Sequence, residues 1–200
     1  MVRSSPTENV KAVASWPDHL LTLAEWSALP DERGSCRELV DGVLLVAPQP
    51  PRHQLAVWRL AAQLEPALPR RVAALARVEL VIEETHPPTV RVPDVLVVGG
   101  AAGASHATRV RPCDVLAAIE IVSPGSRRTD RVMKFAEYAE CGIEHYWLLE
   151  TDGSVRLTTF GLRDGRYEST GDYTGHVTLE LDGMVLPLDL DALTALRTTA

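Results

Sequence analysis

Val115-Leu116-Ala117-Ala118-Ile119-Glu120-Ile121-Val122 is an apolar run carrying one acid. Apolar residues at both parities mark a strand buried on both faces, which implies a sheet covered by helices. A carboxylate in such a strand needs a partner, because an isolated buried charge is very costly. The common partner is an arginine in an ion pair. A second acid, Asp94, follows Pro93 in the run Val90 to Val98, and a third, Glu38, lies in Arg37-Glu38-Leu39-Val40. Asp94 and Glu120 are expected within strands near their C-terminal ends, where α/β sheets place ligands. Three acids on three strands suit a hard divalent cation, which takes oxygen ligands and keeps several waters.

Outward from these runs, the pattern alternates between helix and strand. Thr22-Leu23-Ala24-Glu25 reads as a capping box opening a short helix that ends before Pro30. Arg37–Val40 and Val43–Val46 flank Asp41-Gly42, a dipeptide suited to a tight hairpin. From His53 to about Leu68, Val57, Leu60, Ala61, Leu64 and Leu68 recur at helical spacing. Strands are expected at Val78–Glu83, Val90–Val98, Val115–Val122 and His145–Glu150. Gly99, Gly100 and Gly103 mark a long loop between the second and third of these. A second helix is expected from Thr129 to Cys141, capped by Gly142. Asp152-Gly153, Asp164-Gly165 and Asp182-Gly183 then punctuate short antiparallel strands, with a small final helix near Leu190–Leu196. The fold class is α/β (α+β): a mixed sheet flanked by helices, with an added N-terminal hairpin and C-terminal antiparallel strands. Residues 1–15 read as a flexible tail and residues 16–200 as a single domain.

Composition bounds the function. With 46% hydrophobic and 24% charged residues the 200-residue chain is globular rather than fibrous or disordered. No apolar run approaches the ~20 residues of a membrane span, and the N-terminus lacks a signal-peptide core. Cys36, Cys113 and Cys141 have no metal-ligand spacing, which points to a reduced, cytoplasmic setting. The net charge of −7 argues against a simple nucleic-acid-binding module, which would carry a basic footprint. It leaves room for an enzyme whose acids hold metal ions. Glycine-rich phosphate loops, Ser-His-Asp order and dinucleotide fingerprints are all missing.

A set of fragments falls in order along the chain: Glu38-Leu39-Val40-Asp41-Gly42, His53-Gln54, Pro93-Asp94-Val95, Glu120-Ile121-Val122-Ser123-Pro124, Arg128-Thr129-Asp130-Arg131, Lys134, Tyr138-Ala139 and Tyr146-Trp147-Leu148. The set resembles the Uma-type family of restriction endonuclease-like proteins, within the PD-(D/E)XK nuclease superfamily, over residues 20 to 195. The resemblance implies a restriction-endonuclease-like fold and hydrolysis of phosphodiester bonds in DNA with Mg²⁺ or Mn²⁺. It implies that Asp94, Glu120 and the carbonyl of Ile121 ligate the metal, with Glu38, the family's additional upstream acid, as a further ligand at the same centre.

The sequence departs from the superfamily at Val122, where a lysine normally follows the glutamate by two residues. The resemblance implies that Lys134, on the following helix, replaces it. Asp130, Lys134 and Tyr138 share one stripe at four-residue spacing, while Val132, Phe135, Ala136 and Ala139 are expected to supply apolar surface. The plain alternative is an Asp130–Lys134 helix pair worth about 0.3–0.5 kcal/mol. Arg127, Arg128 and Arg131 suit contacts to nucleic-acid phosphates, although a solvated loop would use them equally well. His53 and Tyr138 are accessory candidates, while Tyr146 and Trp147 are expected in the core. DNA is the expected substrate, a homodimer is compatible with the pattern, and no membrane partner is indicated. The alternative function is a catalytically silent member of the same fold that binds nucleic acid or a protein.

Overall fold

A computed structural model of the chain describes residues 17–30, 35–100, 109–123 and 125–196. The expected N-terminal tail, Gly103 of the glycine loop and Pro124 of the glutamate motif lie outside them. In chain order the elements are α1 (Leu23–Ala28), β1 (Ser35–Val40), β2 (Val43–Pro48), α2 (Pro51–Leu64), β3 (Ala73–Ala76), β4 (Glu79–Glu83), β5 (Thr89–Arg91), β6 (Val95–Val98) and β7 (Arg109–Val110). They continue with β8 (Val115–Val122), a π-helical turn (Thr129–Met133) running into α3 (Lys134–Glu140), β9 (His145–Glu150), β10 (Arg156–Arg163), β11 (Arg166–Tyr173), β12 (His176–Leu181) and β13 (Met184–Asp189).

The architecture is mixed α+β. A six-stranded sheet has the order β11-β10-β9-β8-β6-β3, a five-stranded sheet the order β2-β1-β5-β4-β7, and β12 and β13 form a separate hairpin. In the larger sheet β8 and β9 run parallel while the remaining neighbours are antiparallel. The period-two alternation of β8 sorts its residues. Ala117, Ile119 and Ile121 join Val57, Leu60 and Leu64 of α2 and the β12–β13 hairpin in one core. Ala118 and Val122 face the other way, packing with Tyr138 and Ala139 of α3 and with Tyr146 and Leu148. Tyr146 and Trp147 are both buried, as expected. A third cluster joins Trp26 of α1 to Leu39, Val81 and Val90 of the smaller sheet.

Local chemistry fixes the turns. The Thr22–Glu25 capping box is formed on both sides. Asp41-Gly42, Asp164-Gly165 and Asp182-Gly183 each place both residues at positive φ, the requirement of a two-residue type I′ hairpin. No helix among the described residues is long and apolar enough to cross a membrane.

Several expectations are corrected. Val90–Val98 is not one strand: β5 pairs with β1 and β4, while β6 pairs with β3 and β8. Val92-Pro93-Asp94 separates them, and Pro93 has no N–H with which to continue a ladder. Asp94 therefore precedes β6 instead of standing near the C-terminal end of a strand. Because β6 is antiparallel to β8, the beginning of one lies beside the end of the other, and Asp94 and Glu120 still become neighbours. Strands β3 and β7 were not anticipated; β3 is four residues of Ala and Leu, and β7 spans two residues. The final helix is only a 3₁₀ turn, Asp191–Leu193. Val132 and Ala136 face solvent rather than the core. The π turn ahead of α3 adds an extra residue to the helical repeat there, which changes the face on which Val132 falls.

Candidate metal and active site

Glu120 lies between Ala118 and Val122 on the face of β8 turned toward α3. It meets two side chains of that helix one turn apart: Lys134 Nζ and the Tyr138 hydroxyl each donate to Glu120 Oε1 at 2.9 Å. Spacing by four residues puts both on one stripe, and Asp130, four residues earlier in the π turn, brings its Oδ1 to 3.7 Å from Lys134 Nζ. All four side chains are buried. The stripe read from sequence is thus an inward-facing row of polar groups.

Asp94 enters from the position just ahead of β6. Its Oδ2 accepts a hydrogen bond from the Ile121 backbone N–H at 2.8 Å and lies 3.0 Å from His53 Nε2. His53 sits in the first turn of α2 and is 5% exposed, and its Nδ1 has no hydrogen-bond partner. Glu38 enters from β1 in the smaller sheet. Its Oε2 accepts from Arg91 Nη1 at 2.9 Å, and its Oε1 accepts from the Val92 N–H at 3.2 Å and lies 3.0 Å from Lys134 Nζ. Arg91, fully buried, also binds both oxygens of Glu137 on α3. Glu38, His53, Asp94, Glu120, Asp130 and Lys134 all line one cavity of about 640 Å³, together with Leu45–Pro50.

The electrostatics follow from burial and from these neighbours. Burial pushes the Glu120 carboxyl well above the ordinary range, and nearby Asp94 and Asp130 add to this against the opposing pull of Lys134. Burial likewise raises Asp130. Burial also opposes charge on Glu38, but Lys134 and Arg91 outweigh it and hold that carboxyl below its usual value. For Lys134 burial would favour the neutral amine; Glu120, Glu38 and Asp130 overcome it and keep the ammonium protonated.

The sequence-expected residues thus divide. Asp94, Glu120, Lys134, Glu38, His53 and Tyr138 come together. Glu38, expected as a further ligand, has its oxygens paired with Arg91, the Val92 N–H and Lys134 in this structure. Arg127, Arg128 and Arg131 are exposed around the π turn. Arg127 lies 3.7 Å from Asp152, and Arg131 donates to Glu150 at 2.5 Å. Sequence reasoning did not single out Arg91, Glu137 or Asp130 as members of the site. Asp130 was legible from its spacing to Lys134. Arg91 had a weaker signal, a lone cation in the apolar run Val90 to Val98, and Glu137 had none.

The donor set can be tested against a divalent ion. Among the described residues, only Glu144, His145 and Asp182 form a three-residue acid and histidine group with ligand atoms all within 4.8 Å. The trio of Glu38, Asp94 and Glu120 is not so tightly closed, because Lys134 Nζ stands between Glu38 and Glu120. Asp94 and Glu120 nevertheless each keep one oxygen, Oδ1 and Oε2, that no described side chain or backbone donor binds. Ile121 projects its N–H toward Asp94, and in an antiparallel ladder its C=O projects to the same side. Two carboxylate oxygens and a carbonyl are hard ligands that fit Mg²⁺ or Mn²⁺.

The mixed sheet, its flanking helices and the acid pair at adjoining strand ends define a protein of the restriction-endonuclease-like fold class. The Uma2 family model, described as "Putative restriction endonuclease", matches residues 23–192, and the chain belongs to that family. A crystal structure of a "putative nuclease belonging to DUF820" from Anabaena variabilis ATCC 29413 is similar in fold, with a TM-score of 0.66 and 17% sequence identity. The match covers 87% of this chain and 97% of that one. No curated protein gives a significant match.

Proposed function

We propose that the protein is a divalent-metal-dependent endonuclease that hydrolyses phosphodiester bonds in DNA, acting in the cytoplasm as a single domain of residues 16–200. The observation that carries this reading is Lys134 beside Glu120. The strand position where the superfamily places its lysine is Val122, packed in the core, yet an ammonium reaches the same carboxylate from α3. Family membership and the nuclease-like fold support the reaction class.

Asp94, Glu120 and the Ile121 carbonyl would hold Mg²⁺ or Mn²⁺. When bound, the ion supplies polarisation of a phosphoryl oxygen and activation of water for in-line attack. The protein's own groups do the rest. Lys134 stays protonated, so it stabilises negative charge developing on the phosphate rather than removing a proton. Glu38 holds Lys134 in place, and Arg91 holds Glu38. Tyr138 fixes one oxygen of Glu120, while the Ile121 N–H and His53 fix one oxygen of Asp94. Arg127, Arg128 and Arg131 supply phosphate contacts beside the cavity.

A second reading, a catalytically silent protein that binds nucleic acid or another protein, is favoured by one observation: Lys134 is surrounded by three acids that offset its charge. Nicking of supercoiled plasmid with Mn²⁺, beside a Glu120→Gln blank, separates the two. Metal-dependent nicking lost in the blank supports the endonuclease. Plasmid binding without nicking supports the silent reading. If Mn²⁺ does not bind at all, the metal centre itself is wrong.

A further inference from the structure

We infer that two copies of the chain pair through the free edge of β2, antiparallel and centred on Leu45. This stands independently of the nuclease reading. Strand β2 ends the five-stranded sheet, and among the described residues it pairs only with β1. The Asp41-Gly42 turn makes Val40 and Val43 the closing pair of the hairpin. Hydrogen-bonded and non-hydrogen-bonded pairs alternate from there, so Val43, Leu45 and Ala47 direct their backbone groups to β1. Leu44 and Val46 direct theirs outward. Pro48 has no N–H, so the outward ladder ends there.

Natural sheets guard such edges with charge, a bulge or an internal proline. The β2 edge has none of these before Pro48: Val43-Leu44-Leu45-Val46-Ala47 is uncharged, and its register with β1 is unbroken from Ser35 to Val40. The strand also exposes its apolar side chains, with Val43 48%, Leu45 40% and Val46 40% accessible, and Leu20 beside the turn 46%.

A second copy is the occupant this edge fits, because the edge is self-complementary. A twofold axis at Leu45 sets Leu44 opposite Val46 of the partner subunit and Val46 opposite Leu44 of the partner subunit. Every outward N–H then meets an outward C=O, as an isologous interface requires. Leu45 meets its own copy, Val43 meets Ala47 of the partner subunit, and no charges oppose. The edge alone is smaller than the roughly 1,000 Å² of a stable interface, so the dimer forms with rising concentration. Leu45–Pro48 also line the cavity, which places the pairing edge beside the candidate site.

Sedimentation of the full chain across a wide concentration range tests the pairing. The mass should rise from 21.8 kDa toward twice that value. Leu45→Lys sets two ammonium groups face to face and should hold the protein monomeric. Val185→Lys, at a 63% exposed position on β13, should leave the curve unchanged. In a Cys113→Ser background, Leu45→Cys should form a disulfide-linked dimer on mild oxidation, since the facing Cα atoms of such a pair lie ~4.5 Å apart. Val43→Cys should not. A wild-type chain that stays monomeric at every concentration overturns the proposal, as does a dimer that survives Leu45→Lys. A monomer that dimerises only after removal of residues 1–16 assigns the edge to the chain's own N-terminal segment and equally overturns it.

Discussion

Arg91 clamps Glu137 with two hydrogen bonds, Nε to Oε2 at 2.7 Å and Nη2 to Oε1 at 2.6 Å, and its third nitrogen reaches Glu38. Glu137 lies three residues beyond Lys134 on the same helix. The clamp therefore fixes α3 against the smaller sheet at the turn from which Lys134 enters the cavity. A guanidinium suits this task because its fork engages one carboxylate with two donors and a second carboxylate with the remaining nitrogen.

Arg91→Met should leave Glu38 and Glu137 without their shared cation and cost about 3–5 kcal/mol of stability. Arg91→Lys keeps the charge but not the fork, and should cost less. Urea denaturation of both variants measures this. If neither differs from wild type beyond about 0.5 kcal/mol, the clamp is not a structural support.

Glu120→Gln removes one hard ligand and should abolish stabilisation by Mn²⁺ in thermal unfolding, while EDTA should leave the variant unaffected. The pH dependence has a definite sign. With its folded pKa raised, Glu120 binds its proton more tightly in the folded state, so this group lowers apo stability as pH rises from the unfolded value near 4.3 through the folded pKa. Metal binding needs the carboxylate and should strengthen over the same rise. Equal Mn²⁺ shifts in wild type and Glu120→Gln would exclude this residue as a ligand.

Lys134→Ala should retain Mn²⁺ binding but reduce plasmid nicking by about 10²-fold or more, the loss typical of removing one donor aimed at transition-state charge. Removing the ammonium also leaves Glu120, Glu38 and Asp130 repelling one another, so Mn²⁺ should stabilise this variant more than wild type. Undiminished nicking would return Lys134 to a purely structural role.

Cys36 borders the cavity, and burial pushes its thiol up to about 12, with Glu38 adding to the shift. At pH 8.5 roughly one molecule in three thousand would carry the reactive thiolate. Cys113 is exposed, so iodoacetamide at that pH should label Cys113 first and Cys36 last. Peptide mapping over time reads the order, and early labelling of Cys36 would contradict the burial of its thiol.

Much of the larger sheet was legible because its signals are local. Val115–Val122 and His145–Glu150 are largely apolar runs, and Asp41-Gly42, Asp164-Gly165 and Asp182-Gly183 are dipeptides suited to the positive φ that their turns take. The break at Pro93 was legible too, but it competed with a strong apolar run on either side, and the run prevailed in the reading. Strand β3 was missed because Ala73–Ala76 carries little strand propensity, and β6 imposes its conformation by pairing. At the candidate site, the three acids were legible from their places in apolar strands, whereas the role of Lys134 was reached through a resemblance rather than by spacing alone. Arg91 and Glu137 were missed because their pairing spans 46 residues, and only the packing of α3 on the smaller sheet brings them together.

The passage Val92-Pro93-Asp94 gives the chain a seam. Glu38 and Arg91 stand on one side of it, Asp94 and Glu120 on the other, and Lys134 bridges the two. No single layer carries the constellation. A molecule with both sheets intact but undocked would possess every residue of the centre and no centre, so the chemistry doubles as a proofreading mark of complete assembly.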